Sequence, residues 1–138
     1  QTCFVGEYAP ILGEFKRDLE PADVQIIARA QLAAEATLAR RANRVLFLDA
    51  DLLAVRFWSE RRFGLCPEWI CREAERRQSD VYLVMDEDGP AVGEQHAFLQ
   101  LCLDTLEARG LDYVRLSGPW EQRLQKAMTE VDALLAKK

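Results

Sequence analysis

Four short apolar runs recur along the chain: Cys3 to Val5, Val45 to Leu48, Val81 to Met85 and Tyr113 to Leu116. Each is followed by polar or glycine-containing residues, and runs of this length read as strands. Between them the apolar spacing switches to the helical period. Pro21 opens a long helix whose inward positions are Val24, Ile27, Ala28, Gln31, Ala34 and Leu38, and Asn43 ends it. Leu52 to Phe63 reads as a second helix stopped by Gly64, and Pro67 starts a third that runs to Gln78. Glu94 to Arg109 is closed by Gly110, and Trp120 to Ala136 is the last helix. Strands alternating with helices imply βαβ units around a parallel sheet, hence an α/β fold, a three-layer αβα sandwich. The 138 residues suit one domain with a sizeable core.

The second run stands out because it stops on two carboxylates one residue apart, in Leu46-Phe47-Leu48-Asp49-Ala50-Asp51. In open α/β sheets ligands bind beyond the carboxyl ends of the strands. A carboxylate directly ending a buried strand is costly to desolvate without a partner, which favours a functional Asp49. In a parallel sheet Glu7, Tyr8, Asp49, Asp51, Asp86, Glu87, Asp88, Ser117 and Gly118 would share one edge. For Glu87 and Asp88, ordinary loop polarity is the better explanation.

Composition narrows the function classes. A hydrophobic fraction of 49% and a charged fraction of 30% are those of a soluble globular protein, and no segment has membrane-spanning length. Gln1 to Val5 lacks the features of a secretory leader, so a cytoplasmic setting is expected. The net charge of -5 argues against nucleic acid as a partner, since phosphate contacts need a basic face. Cys3, Cys66, Cys71 and Cys102 lack zinc-type spacing, and His96 is the one histidine, so the cysteines are expected to be reduced packing residues. Trp58, Phe63, Trp69 and Trp120 read by default as packing residues on amphipathic helices.

Several phrases, taken in order, resemble one family. They are Gly6-Glu7-Tyr8-Ala9, the helix ending Arg41-Ala42-Asn43-Arg44, the strand ending Asp49-Ala50-Asp51, Trp58-Ser59-Glu60, Phe63-Gly64-Leu65-Cys66-Pro67, and Ser117-Gly118-Pro119-Trp120-Glu121-Gln122-Arg123-Leu124. The family is the ribosylnicotinamide kinase domain of bacterial bifunctional NAD-biosynthesis proteins, a P-loop nucleoside kinase related to AAA-type ATPases. The resemblance covers nearly the whole chain and implies a parallel sheet of order 2-3-1-4-5.

The chain also departs from that pattern. No G-x-x-x-x-G-K-[ST] loop occurs, and the strand resembling Cys3 to Val5 is the family's second. The resemblance therefore implies that strand 1, the phosphate loop and its helix lie outside residues 1–138, and that this chain is part of a longer protein. The family's arginine-bearing lid is shortened to Asp88-Gly89-Pro90-Ala91-Val92-Gly93, and Pro10 stands where the family tends to have arginine.

Position by position, Asp49 resembles the Walker B aspartate that helps hold Mg²⁺. Asp51 resembles the catalytic carboxylate that orients the attacking 5'-hydroxyl or accepts its proton. Glu7, Tyr8 and Trp58 would bind the nucleoside, and Ser117, Gly118 and Trp120 would border the adenine of ATP. The resemblance implies ATP-dependent phosphorylation of nicotinamide riboside or a related nucleoside, with small molecules as partners. Two alternatives stay open: a non-catalytic, degenerate or truncated nucleotide-binding-fold domain, and a P-loop ATPase of unknown target.

Overall fold

Alternating strands and helices organise the chain, whose computed structural model describes residues 2–15, 18–86, 88 and 92–137. The order is β1 (Cys3–Val5), α1 (Tyr8–Phe15), α2 (Asp23–Ala39), β2 (Leu46–Leu48), α3 (Leu52–Phe63), α4 (Glu68–Arg76), β3 (Tyr82–Met85), α5 (Glu94–Ala108), β4 (Tyr113–Leu116) and α6 (Trp120–Ala136). The expected α/β class is borne out, with short parallel sheets. β1 pairs with β2, Cys3 opposite Leu46 through Val5 opposite Leu48. β3 pairs with β4, Tyr82 opposite Tyr113 through Met85 opposite Leu116. Parallel neighbours need a long crossover, which α1 and α2 supply for the first pair and α5 for the second.

The chain groups into two compact units, Gln1–Gln78 and Ser79–Lys138. In the first, Val24, Ile27 and Ala28 of α2 meet Leu52 and Val55 of α3 and Ile70 and Ala74 of α4. The inward positions of α2 follow the helical period, and Gln31 joins them at 2% exposure. Gly64 closes α3 in the left-handed region at φ 71°, its N–H donating to Glu60 O at 2.8 Å. In the second unit Leu103 and Leu106 of α5 and Leu116 of β4 are buried.

Two expectations need correction. Helix α1 was not evident from the sequence, because Pro10 and Gly13 interrupt its pattern. Pro10 falls in the first turn, where a missing N–H costs no intrahelical bond, while Tyr8, Ala9 and Leu12 pack against the core. The strands are also less covered than a sheet buried on both faces: β2 is half-buried throughout, and Phe4 of β1 is 61% exposed.

None of Cys3, Cys66, Cys71 and Cys102 forms a disulfide. Cys66 and Cys71 lie together at the start of α4, with Cys71 Sγ 3.9 Å from Cys66 O. Burial, with the neighbouring Cys71 thiol, pushes the Cys66 thiol up to about 12.

Candidate functional site

In the first unit the site is built at the joined carboxyl ends of β1 and β2. The Asp49 N–H donates to Val5 O at 2.9 Å, so the ladder continues one residue past β2 and carries Asp49 alongside the Gly6-Glu7 turn. Glu7 and Asp49 are close enough to repel. Burial first, then the Asp49 carboxylate, raises the Glu7 carboxyl above its ordinary range. Tyr8 begins α1 and leans on the hydrophobic cluster.

Within residues 1–138 Asp49 carries little desolvation cost. Its side chain is exposed, because β2 is half-buried, and water can solvate the charge. What distinguishes Asp49 is its pairing with Glu7, two like charges held together where a cation would relieve them.

A raised carboxyl means that ionising Glu7 costs more in the folded chain than in the unfolded one. Between its ordinary and its raised pKa the folded state binds more protons, so stability falls as pH rises through that window. The loss is absent below the ordinary carboxylate range and grows as pH rises through the raised one. Glu7→Gln is therefore expected to raise the thermal midpoint at pH 7 and to leave it unchanged in acid. The gain is a few tenths of a kcal/mol, because Glu7 is only partly withdrawn from water, which screens the pair. Melting curves across this range check it.

Asp51 is the N-cap of α3: its backbone is extended and Oδ1 accepts from the Ala54 N–H at 3.0 Å. An aspartate just before an apolar helix is a capping signal, so this part of its role was legible. Asparagine caps as well as aspartate, which separates the cap from the charge. Asp51→Ala is expected to cost about 1 kcal/mol in denaturant unfolding, and Asp51→Asn only a few tenths.

Trp58 lies about two turns along α3 from Asp51. Its ring stands edge-on to Phe63, centroids 5.6 Å apart at 88°, with the Arg62 guanidinium 5.9 Å above it. These contacts anchor it against the core and do not join it to Glu7 or Asp49.

In the second unit Asp86 and Ser117 follow β3 and β4 at one end of the pair, and the Asp86 N–H donates to Leu116 O at 2.9 Å. Gly118 turns the chain at φ 86°, and an added Cβ would lie 2.8 Å from the Gln122 amide oxygen. Ser117, Gly118 and Trp120 are exposed, Trp120 at 67%. Glu87 and residues 89–91 of the shortened lid lie outside the described residues. Asp86 pairs with Arg115 at 2.6 Å and Asp88 with Arg123, so both carboxylates have cationic partners.

Arg123 had no role assigned from the sequence, yet it organises this loop. Nearly buried, it donates through Nε to Gly118 O at 2.7 Å and through one terminal nitrogen to Asp86 O at 2.8 Å, with Asp88 on the other. The available signal was an arginine in the first turn of a helix beside an acidic loop. Gln31 and Glu35 were likewise missed as polar groups behind Asp49 and Asp51.

Among the described residues no group of three or more His, Cys, Asp or Glu side chains is arranged to hold a metal, and no helix is long and apolar enough to cross a membrane. A family model described as an AAA domain matches residues 4–123 of the 138. No curated protein matches the chain.

Proposed function

Because the chain belongs to the AAA domain family, of P-loop nucleotide-binding type, we propose that it carries the metal and acceptor side of a nucleoside kinase. The reaction is transfer of the γ-phosphoryl of ATP to the 5'-hydroxyl of nicotinamide riboside or a related nucleoside, a step of NAD salvage. The observation that carries this reading is the placement of Glu7 and Asp49 together beyond the parallel pair β1 and β2, with Asp51 two residues on. The strand pairing also supports it. β1 with β2 and β3 with β4 are the pairs that order 2-3-1-4-5 leaves when its central strand is taken away.

Magnesium ordinarily takes one or two protein carboxylates and fills its remaining positions with water and phosphate oxygens. Exposed Asp49, with Glu7 beside it, fits that donor set, and a cage of three or more protein ligands is not required. When bound, the ion neutralises charge on the phosphate oxygens. Asp51 then orients the 5'-hydroxyl and takes its proton, as the new oxygen–phosphorus bond forms and the bond to the β–γ bridging oxygen breaks with departure of ADP. Glu7 and Tyr8 border the acceptor, whose pyridinium cation the carboxylates attract. Trp120 offers an exposed aromatic face to adenine beside Ser117 and Gly118. The phosphate-holding lysine and glycine loop have no counterpart in these 138 residues, so the reading requires that the full-length protein supplies them.

The test is nucleoside-dependent ATP consumption by the full-length protein. Asp49→Asn is expected to lower kcat on the order of 10²-fold, since it removes the ion's anchoring charge. Unaltered turnover in that variant refutes the metal assignment. Heat on adding nicotinamide riboside to a protein that never consumes ATP would identify a binding domain instead.

A further inference from the structure

The loop bearing Asp49 and Asp51 is tied from behind. Ala50, between them, presents its carbonyl to Gln31 Nε2 of α2 at 2.7 Å. Gln31 is 2% exposed, on the buried face of α2 that also carries Val24, Ile27 and Ala28. A buried amide on such a face costs free energy unless its donors are used, and both N–H groups of Gln31 are directed. The second reaches Glu35 Oε1 at 3.4 Å, one turn along α2. Glu35 Oε2 in turn pairs with Arg77 at 3.1 Å. A continuous polar chain thus runs from Arg77 through Glu35 and Gln31 to the peptide between the two carboxylates.

An apolar side chain of similar size would fill the Gln31 slot without these obligations. What the amide adds is direction. A carbonyl held at 2.7 Å constrains the plane of the Ala50–Asp51 peptide, and so where Asp51 leaves the backbone relative to Asp49. Glu35 faces Gln31, Arg77 and Asp51; its carboxylate accepts from the first two and is repelled by the third.

We propose that Gln31 is the positioning residue of this site: its amide fixes the Ala50 peptide, and so the relative placement of Asp49 and Asp51, while Glu35 and Arg77 orient the amide. This rests on the reading of Asp49 as the metal carboxylate and Asp51 as the acceptor carboxylate. Gln31 touches no substrate and acts through the loop alone.

The experiment uses the full-length protein with Gln31→Met, which keeps length and volume but removes the donor, and Gln31→Glu, which can donate only when protonated. Two readouts are followed: hydrogen exchange of the amides from Asp49 to Ala54, and the separate kcat and KM values for nucleoside-dependent ATP consumption. In Gln31→Met, exchange over 49–54 is expected to quicken at least tenfold and kcat to fall at least tenfold, with KM for ATP unchanged. In Gln31→Glu the ratio of its kcat to that of the wild type should rise as pH falls through the introduced carboxyl's range, whereas the methionine ratio stays flat. Wild-type exchange in Gln31→Met, or a flat ratio in Gln31→Glu, overturns the proposal. An inactive wild-type protein defeats the kinase reading instead, and exchange alone then judges the tether: quickening upholds it, and no change overturns it.

Discussion

Replacing Arg123 with alanine is expected to remove about 2–3 kcal/mol of stability, measured by denaturant unfolding of the chain. The guanidinium is nearly buried, and from α6 it donates to the Gly118 and Asp86 carbonyls. Its deletion removes two buried, charge-assisted hydrogen bonds to the backbone of this loop, whose Asp86 carboxylate is also paired with Arg115. The Asp88 contact adds little, because that carboxylate is 83% exposed and water replaces the partner. Arg123→Lys should recover less than half of the loss. An ammonium is a point charge on a flexible stem and cannot span three acceptors as a planar fork does. Trp120, three residues before Arg123, reports the loop by fluorescence. A loss below about 1 kcal/mol would show that the fork is dispensable. If the Ser117–Trp120 loop borders adenine, KM for ATP should rise in the same variant, while hydrogen exchange near Asp49 stays as it was.

Ile70→Ala should be the costlier change in the first unit, about 3–4 kcal/mol. Ile70 is fully buried and sits where α2, α3 and α4 converge, among Val24, Ile27, Leu52 and Val55. Truncation removes three carbons from a closed cluster, and α3, capped at Gly64 and linked to α4 by the Arg56–Glu75 ion pair, has limited room to collapse into the void. Ile70→Val, one methyl smaller, is expected to cost about 1 kcal/mol. Met128→Ala on the exposed face of α6 supplies the contrast, with a change within about 0.5 kcal/mol. Equal losses at Ile70 and Met128 would overturn this assignment of the core.

The elements were legible because their signals are local. All four strands lie within a residue of the apolar runs, and Gly64 and Gly110 take the left-handed conformations that end α3 and lead out of α5. The Asp49-Ala50-Asp51 sequence marked the end of β2 for the same reason. Helix α1 escaped because its proline and glycine argue locally for a loop, whereas the packing of Tyr8, Ala9 and Leu12 decides otherwise. The supports of the site escaped for a different reason. Gln31 meets Ala50, Glu35 meets Arg77, and Arg123 meets Asp86 across long stretches of chain, and no local period encodes such pairs. Burial misled in the opposite direction. An apolar run reads as a covered strand, but a strand with one parallel neighbour remains half-buried, and Asp49 at its end is exposed.

Both strand pairs are parallel, and this has a kinetic consequence. Cys3 must find Leu46 and Tyr82 must find Tyr113, separations of roughly 40 and 30 residues, so each ladder closes a large loop before its hydrogen bonds repay the lost chain entropy. The helices need no such search, since their bonds span only a few residues. The neighbourhood of Glu7 and Asp49 therefore comes into being with the closing of the ladder, among the later contacts to form, and the two carboxylates meet only in a chain that has already completed its crossover.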